Sequence, residues 1–210
     1  MKGELRMLKK LLIATCLISL AVLLGFLAGC GNGATKSTNA TTMSGSAPFD
    51  RAFIDAMVPH HRSAIEMAKT AQQAGLSSPA LNGIALNIID SQQQEIDLML
   101  AWRKKWYGSK QIDPNAGQEL GMSMADMGMS HNDNMNDLKG SNIDGMFASM
   151  MIGHHEGAIR MAHMALDKAQ HPEIKTLARR IIAAQKREVA IMKPLAKISD
   201  GGTTTGMNMG

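Results

Sequence analysis

Apolar residues recur at helical spacing in four separate stretches of the chain. In the first stretch, apolar positions 53, 57, 64, 67 and 71 are three, four or seven residues apart, so they share one face of a helix. Three similar stripes follow, at positions 81, 85, 88, 99, 102 and 106, then 147, 151, 158, 161 and 165, then 174, 177, 181, 192 and 195. No stretch shows the strict alternation that a half-buried strand requires. The pattern therefore predicts an all-α protein with four main helices.

The breaks between the stripes indicate where the helices end. Gly75 offers a helix stop, and Ser78 with Pro79 offers an N-cap followed by proline at the first helical position. His171 and Pro172 mark the corresponding break in the second half. The stripes thus pair into two helical hairpins, at about residues 49–107 and 143–197.

The two hairpins are copies of one unit. Nine residues of the first helix reappear 94 positions later: Asp50, Phe53, Met57, His60, His61, Ala64, Ile65, Met67 and Ala68 match Asp144, Phe147, Met151, His154, His155, Ala158, Ile159, Met161 and Ala162. With one residue of slippage, Pro79, Ile88, Ile89, Gln92, Glu95 and Met99 match Pro172, Ile181, Ile182, Gln185, Glu188 and Met192. Two duplicated hairpins predict a four-helix bundle.

The N-terminus has the composition of a secretory signal peptide over residues 1–29. It has a basic start, an apolar run from Leu11 to Ala28 and small residues before a cleavage point. The end of this stretch, Leu27-Ala28-Gly29-Cys30, also resembles a bacterial lipobox, in which Cys30 is acylated and becomes the mature N-terminus. The alternative is a plain N-terminal membrane helix. In either case we expect an exported protein, anchored to the outer face of the cytoplasmic membrane or to an outer membrane.

The rest of the chain divides by composition. Residues 30–47 are small and polar, which predicts a flexible spacer, and residues 199–210 predict a disordered tail. The folded domain is then 48–198. Its two hairpins are joined by residues 108–142, a connector too long for a bundle turn, and such a segment is usually functional or disordered.

Composition and charge argue against several classes of function. Cys16 would leave with the signal peptide and Cys30 would carry lipid, so the mature chain would keep no thiol for a disulfide or a zinc–thiolate site. Cleavage after residue 29 removes four cations and one anion, which lowers the net charge from +4 to +1 and argues against nucleic-acid binding. The unusual feature is methionine: 17 of the 19 methionines follow Cys30.

Polar residues interrupt the apolar stripes at equivalent places in both copies. His60 lies between Met57 and Ala64, and Gln92 and Glu95 lie inside the second stripe. Their counterparts are His154, Gln185 and Glu188. A buried carboxylate without a partner costs several kcal/mol or more, so the interior must hold a proton, an imidazolium or a metal ion. His61 and His155 lie about 100° around their helices and can turn toward the same point or toward solvent.

The residues before the paired histidines weaken a helix. Pro59 precedes His60 and Gly153 precedes His154, both in the middle of a predicted helix. This indicates a local kink that aims the imidazoles, unless the first helix simply begins at Pro59. The Phe53 and Met57 stripe argues against the second alternative.

Imidazole beside thioether favours copper(I), with silver(I) as its chemical relative. Bundle di-iron and di-manganese sites use Glu-x-x-His, which this chain lacks. A second candidate metal site lies in the connector, whose members are Met122, Met124, Met127, Met129 and His131. Because methionine is also a common filler of apolar gaps, these connector residues can equally be inert.

The motif D-x-x-F-x-x-x-M-x-x-H-H-x-x-A-I-x-M-A at 50–68 and 144–162 resembles the bacterial ferritin-like family known as domain of unknown function 305. The segments I-I-x-x-Q-x-x-E at 88–95 and 181–188 resemble it too. The resemblance covers about residues 49–196 and implies a ferritin-like four-helix bundle, export and, in some members, copper binding. The metal ligands that it implies are Met57, His60, His61 and Met67 with Met151, His154, His155 and Met161.

These observations predict an exported lipoprotein that buffers or sequesters copper(I) and is not an enzyme. Gln92, Glu95, Gln185 and Glu188 would orient the imidazoles from behind. Two alternatives remain open from the sequence. One is a metal-free interaction module with a buried His–Glu network, and the other is a metal-dependent oxidase on the same scaffold.

Overall fold

A computed structural model describes residues 48–129 and 142–196 of the chain. These residues form five helices and no strand: α1 (Pro48–Ala74), α2 (Pro79–Tyr107), α3 (Ala116–Glu119), α4 (Ile143–Lys168) and α5 (Pro172–Ala196). Helices α1, α2, α4 and α5 are the four helices of the predicted bundle. The short α3 belongs to the connector. The all-α, four-helix prediction is confirmed.

The helix boundaries follow local chemistry. Gly75 ends α1 with φ +96°, a left-handed conformation that costs glycine little. Ser78 then caps α2, because its side chain accepts a hydrogen bond from the backbone N–H of Leu81 at 3.4 Å, and proline follows the cap. Helix α1 begins at Pro48 and continues through Pro59, so the alternative in which it begins at Pro59 is wrong.

Helices α1 and α4, the equivalent helices of the two copies, pack against each other in the middle of the bundle. Each also packs on its own hairpin partner, α2 or α5, and α1 contacts α3. Met57 shares one apolar cluster with Met161, whereas Met67 shares the other with Met151. A residue before the histidines of one copy therefore meets a residue after the histidines of the other, so α1 and α4 run antiparallel.

A matched pair of aspartates joins the two hairpins. Asp144, at the start of α4, accepts hydrogen bonds from the backbone N–H groups of Ser77 and Ser78 at 2.8 and 2.9 Å. Its counterpart Asp50, at the start of α1, accepts from the backbone N–H groups of Gln170 and His171 at 3.0 and 2.8 Å. Each copy thus binds the interhelical turn of the other copy through the same residue.

Several sequence-based predictions concern residues outside the described ranges. They are the signal peptide 1–29, the lipidation of Cys30, the spacer 30–47, His131 in the connector and the tail 199–210. Among the helices that the structure does describe, none combines the length and the apolar character needed to cross a bilayer.

Candidate metal centre

The four paired histidines lie completely inside the bundle. His60, His61 and His155 have no exposed surface, and His154 is 1% exposed. The rings of His60 and His154 meet where α1 packs on α4: their centroids are 3.8 Å apart, and their planes make an angle of 38°. The central pair therefore consists of one histidine from each copy.

The second histidine of each pair binds a glutamate of its own hairpin. The His61 Nε2 lies 2.8 Å from an oxygen of Glu95, and the His155 Nε2 lies 2.7 Å from an oxygen of Glu188. Asn87 of α2 donates to the other oxygen of Glu188 at 2.6 Å. The apolar stripe predicted that His60 and His154 face the interior. In the structure, the residues that face the carboxylates are their neighbours, His61 and His155.

His60 has a different partner, the backbone carbonyl of Met127 in the connector, at 2.8 Å from Nε2. A carbonyl only accepts, so the proton of this ring is on Nε2 and the lone pair is on Nδ1. The carboxylates of Glu95 and Glu188 likewise accept from Nε2 of His61 and His155. Three of the four imidazoles thus donate through Nε2, and their buried Nδ1 atoms have no hydrogen-bond partner.

The unpartnered polar atoms of the core belong to the four histidines and to two glutamines of α2 and α5. Among the described residues, the buried side-chain nitrogen and oxygen atoms without a hydrogen-bond partner are Nδ1 of His60, His61, His154 and His155, Nε2 of His154, and Oε1 of Gln92 and Gln185. Native interiors leave few such atoms, and each costs about 1–3 kcal/mol. These six side chains are the histidine layer of the bundle, and their seven unpartnered atoms point to a ligand that satisfies them.

Burial keeps the central histidines neutral. The pKa of His60 is lowered to about 3, chiefly by loss of hydration and next by the charge of His61, while the hydrogen bond to Met127 opposes this shift. The pKa of His154 is also well below the ordinary value, with burial again the main cause and His60 the next. Both rings therefore offer lone pairs at neutral pH without competition from protons.

The methionines of the predicted ligand set divide into two groups. Met57, Met67, Met151 and Met161 are 0–2% exposed. Met57 and Met161 lie in one apolar cluster, and Met67 and Met151 lie in the other. The two methionines that the family motif provides in one copy therefore lie in different apolar clusters, each in the same cluster as a methionine of the other copy.

In the part of the chain that the structure describes, no three His, Cys, Asp or Glu side chains form a ready metal cage. Nitrogen and carboxylate ligands alone therefore do not define a site in this arrangement. A complete donor set would need thioether sulfur as well, and the two apolar clusters of the bundle contain the buried methionines Met57, Met161, Met67 and Met151.

The connector contacts the histidine layer, a feature that the helical pattern did not reveal. The connector backbone at Met127 and Gly128 lies directly on α4, so a Cβ added at Gly157 would strike the backbone of Met127, and one added at Gly128 would strike that of Gly153. Arg160 of α4 donates to the carbonyl of Asp126 at 2.8 Å. Two glycines four residues apart share a helix face, and this spacing is the one sequence feature that indicates a close approach.

The connector residues of the second candidate site are only partly together. Met122 and Met127 are buried, at 8% and 5% exposed, whereas Met124 is 47% exposed. Met129 is partly buried and packs against the first apolar cluster. His131 lies outside the described residues.

The model of the family called Domain of unknown function (DUF305) matches residues 29–96 and 50–196 of the chain. The chain belongs to this family. The two overlapping matches reflect the duplication, since each DUF305 match includes at least one copy of the His-His helix. The resemblance seen in the sequence motif is confirmed.

Solved structures agree with the DUF305 assignment. CopM in its Cu(I)-bound form is 31% identical, with a TM-score of 0.56, and the match covers 72% of this chain and 98% of that chain. A DUF305 fragment from Deinococcus radiodurans is 26% identical, with a TM-score of 0.57 and coverage of 73% and 98%. A DUF305 protein from Streptomyces coelicolor, 23% identical with a TM-score of 0.65 and coverage of 75% and 97%, supports the fold alone. No curated protein matches the chain.

Proposed function

We propose that this DUF305 protein binds copper(I), or silver(I) in its place, at the buried histidine layer and so buffers or sequesters the ion. The observation that carries the proposal is the group of seven unpartnered polar atoms on His60, His61, His154, His155, Gln92 and Gln185. Apolar packing alone would place no such atoms in the core. Metal coordination gives imidazole lone pairs a favourable partner and adds to the stability of the folded state.

The chemistry of the donors suits a soft ion. The unpartnered nitrogen atoms belong to imidazoles, and burial keeps two of these rings, His60 and His154, neutral. The two apolar clusters of the bundle contain Met57, Met161, Met67 and Met151. Thioether ligands select copper(I) over harder divalent ions, while imidazole accepts several metals. The combination therefore favours copper(I).

A relative supports the same choice. CopM structures hold Cu(I), Cu(II) and silver, and CopM is 31–32% identical to this chain. The relative supports copper or silver as the ion class, and the buried histidines of this chain supply the proposed location.

Glu95, Glu188 and the carbonyl of Met127 have a positioning role in this proposal. Each accepts a hydrogen bond from the Nε2 of one histidine and so holds its Nδ1 toward the core. Partners of this kind orient metal-binding histidines, and their loss typically lowers metal affinity about 10–100-fold. Gln92 and Gln185 add side-chain oxygens to the same layer.

We assign no catalytic role to this layer and propose a binding protein. The oxidase alternative predicts that the metal-loaded protein consumes dioxygen. The metal-free alternative accounts for the His–Glu pairs but leaves the Nδ1 atoms without partners.

We also propose that the protein is exported and anchored through lipid on Cys30, as the segment Leu27-Ala28-Gly29-Cys30 indicates. The anchor would hold the domain at the outer face of a membrane. Mass spectrometry of the mature N-terminus tests this directly. An unmodified chain that begins upstream of Cys30 would contradict it.

Competitive titration with a copper(I) chelator tests metal binding by the histidine layer. We expect His154→Gln to weaken binding at least tenfold, because the substitution removes a buried, neutral imidazole from the proposed site. His163→Gln, on the exposed side of the same helix, is the matched control and should bind like the parent protein. Circular dichroism should show that both variants remain helical.

The titration also separates the alternatives. Indifference of the folded parent protein to copper(I) would favour the metal-free module. Oxygen consumption by the copper-loaded protein would favour the oxidase. Equal affinity of the His154→Gln variant and the parent would move the binding site away from this layer.

A further inference from the structure

The first part of the connector is a set of defined turns. Met122 N–H donates to the carbonyl of Gly117 at 3.0 Å, Met127 N–H to that of Ser123 at 3.0 Å, and Met129 N–H to that of Met124 at 2.8 Å. Gly121 and Gly128 reverse the chain with φ +71° and +69°. Because these turns constrain the backbone, they hold the connector methionines in a particular arrangement rather than leaving them independent.

Three of these methionines line one small cavity. The cavity has a volume of about 160 Å³, and Met122, Met124 and Met127 are on its wall. None of its lining residues is charged. Met124 is 47% exposed, whereas Met122 and Met127 are 8% and 5% exposed. One thioether of the cavity is therefore accessible to solvent, and the other two are buried. Uncharged sulfur donors suit a monovalent soft ion and offer little to a hard divalent one.

Met127 belongs to this cavity and to the histidine layer at once. Its side chain lies against Gly117, where an added Cβ would be 3.2 Å from its sulfur. Its carbonyl accepts the hydrogen bond from His60 at 2.8 Å. Its backbone also lies against Gly157 of α4 without room for a side chain there. A movement of Met127 therefore changes both the cavity and the orientation of His60.

We propose that Met122, Met124 and Met127 form an entry site that takes copper(I) or silver(I) from solvent, and that Met127 couples this site to His60. The proposal rests on the proposed function, because it presupposes a metal-binding histidine layer. The exposed Met124 makes the first contact, and the two buried thioethers hold the ion next to the α1–α4 junction. The carbonyl of Met127 orients the imidazole that lies nearest to the connector.

Silver(I) titration of the full chain labelled with 13C at the methionine methyl groups and 15N in histidine tests the proposal. Silver(I) is diamagnetic and does not change oxidation state, so each resonance can be followed. We expect the methyl resonances of Met122, Met124 and Met127 to shift, together with the His60 nitrogens. Single Met→Leu variants assign the methyl resonances.

The rate of loading tests the entry role. The double variant Met122→Leu/Met124→Leu keeps the size of the side chains but removes two sulfurs. We expect silver(I) to reach the histidine layer about tenfold more slowly, because an ion held beside the layer is at a higher effective concentration than one in bulk solution. Affinity at the histidines should be unchanged. The control is Met146→Leu/Met164→Leu on α4, away from the cavity.

The outcomes separate this proposal from the proposed function. Shifts at the histidines with no response from Met122, Met124 and Met127 would overturn the entry site and leave the histidine layer intact. Equal loading rates in the two double variants would also overturn it. Connector shifts without any histidine response would refute the histidine layer and the coupling, and no response anywhere would refute both proposals.

Discussion

At the scale of single residues, the lone pair that a buried histidine offers depends on which ring nitrogen carries its proton. His60, His61 and His155 each have an oxygen beside Nε2, and each leaves Nδ1 free. The acceptors differ: one is a backbone carbonyl and two are carboxylates. Hydrogen-bond partners on other elements therefore fix the ring orientations. The sequence identifies the histidines but not these partners.

The low pKa of His60 predicts an acid-sensitive fold in the metal-free protein. Its pKa is about 3 in the folded state, against about 6.5 when the chain is unfolded, so the unfolded state binds the additional proton. The stabilising contribution is complete above pH 6.5 and is lost as the pH falls from there toward 3. We expect this residue alone to account for about 2 kcal/mol between pH 8 and pH 5.

Urea denaturation of the metal-free parent and of His60→Gln at pH 8 and pH 5 measures this contribution. The parent should lose more stability than the variant on acidification. His163→Gln, which changes an exposed histidine, should follow the parent. An identical loss in parent and His60→Gln would show that protonation of His60 does not govern the acid sensitivity.

At the scale of helices, the connector packs closely on α4 because position 157 of that helix and position 128 of the connector are glycines. Gly157 gives the backbone of Met127 room to lie on the helix, and Gly153 is adjacent to Gly128. The contact also carries the Arg160 hydrogen bond to Asp126. Glycine inside a helix costs about 1 kcal/mol relative to alanine, and here the close approach of the connector offsets that cost.

Gly157→Ala should detach the connector from α4. The new methyl group would meet the Met127 backbone, so we expect a loss of about 1–3 kcal/mol in the free energy of unfolding. Hydrogen exchange should increase at residues 122–129. Gly83→Ala, at an exposed helical site with nothing within reach of the new methyl group, should instead stabilise the protein by up to about 1 kcal/mol. Similar effects of both substitutions would rule out the packing explanation.

At the scale of the whole molecule, the duplication is visible in how the two hairpins bind each other. Asp50 and Asp144 are equivalent in sequence, and each binds the turn of the opposite hairpin. The Asp50 side also includes a 2.6 Å contact with Nδ1 of His171, whose ring stacks on Trp106 with centroids 3.7 Å apart. The two halves are thus similar in design but not identical in detail.

Asp144→Ala should weaken the association of the hairpins. It removes the acceptor for the Ser77 and Ser78 backbone N–H groups, and hydrogen bonds to charged groups contribute about 1.5–3 kcal/mol each. We expect thermal unfolding at a lower temperature and a less cooperative transition. The exposed Asp90 on α2 provides the control substitution Asp90→Ala. Equal melting temperatures for the two variants would refute the role of Asp144.

Much of the architecture was predictable because it repeats local patterns. Gly75, Ser78 and Pro79 end one helix and begin the next through local backbone chemistry, which sequence shows directly. The pairing of Asp144 with residues 77 and 78 was not predictable, although Asp144 was recognised as a repeated position. Its partners lie in the other hairpin, and sequence spacing carries no information on which turn a helix start will meet.

The sequence alone was sufficient for the duplicated helices, the inward histidines, the methionine enrichment and the family, because periodicity and motif spacing are properties of the chain. Only the tertiary structure decided that His60 meets His154, that His61 and His155 take the glutamates, and that the backbone of Met127 joins the layer. The physical reason is that helical periodicity determines which face a residue occupies. The residue that it meets depends on the direction and crossing point of the helices, and on where the connector rests.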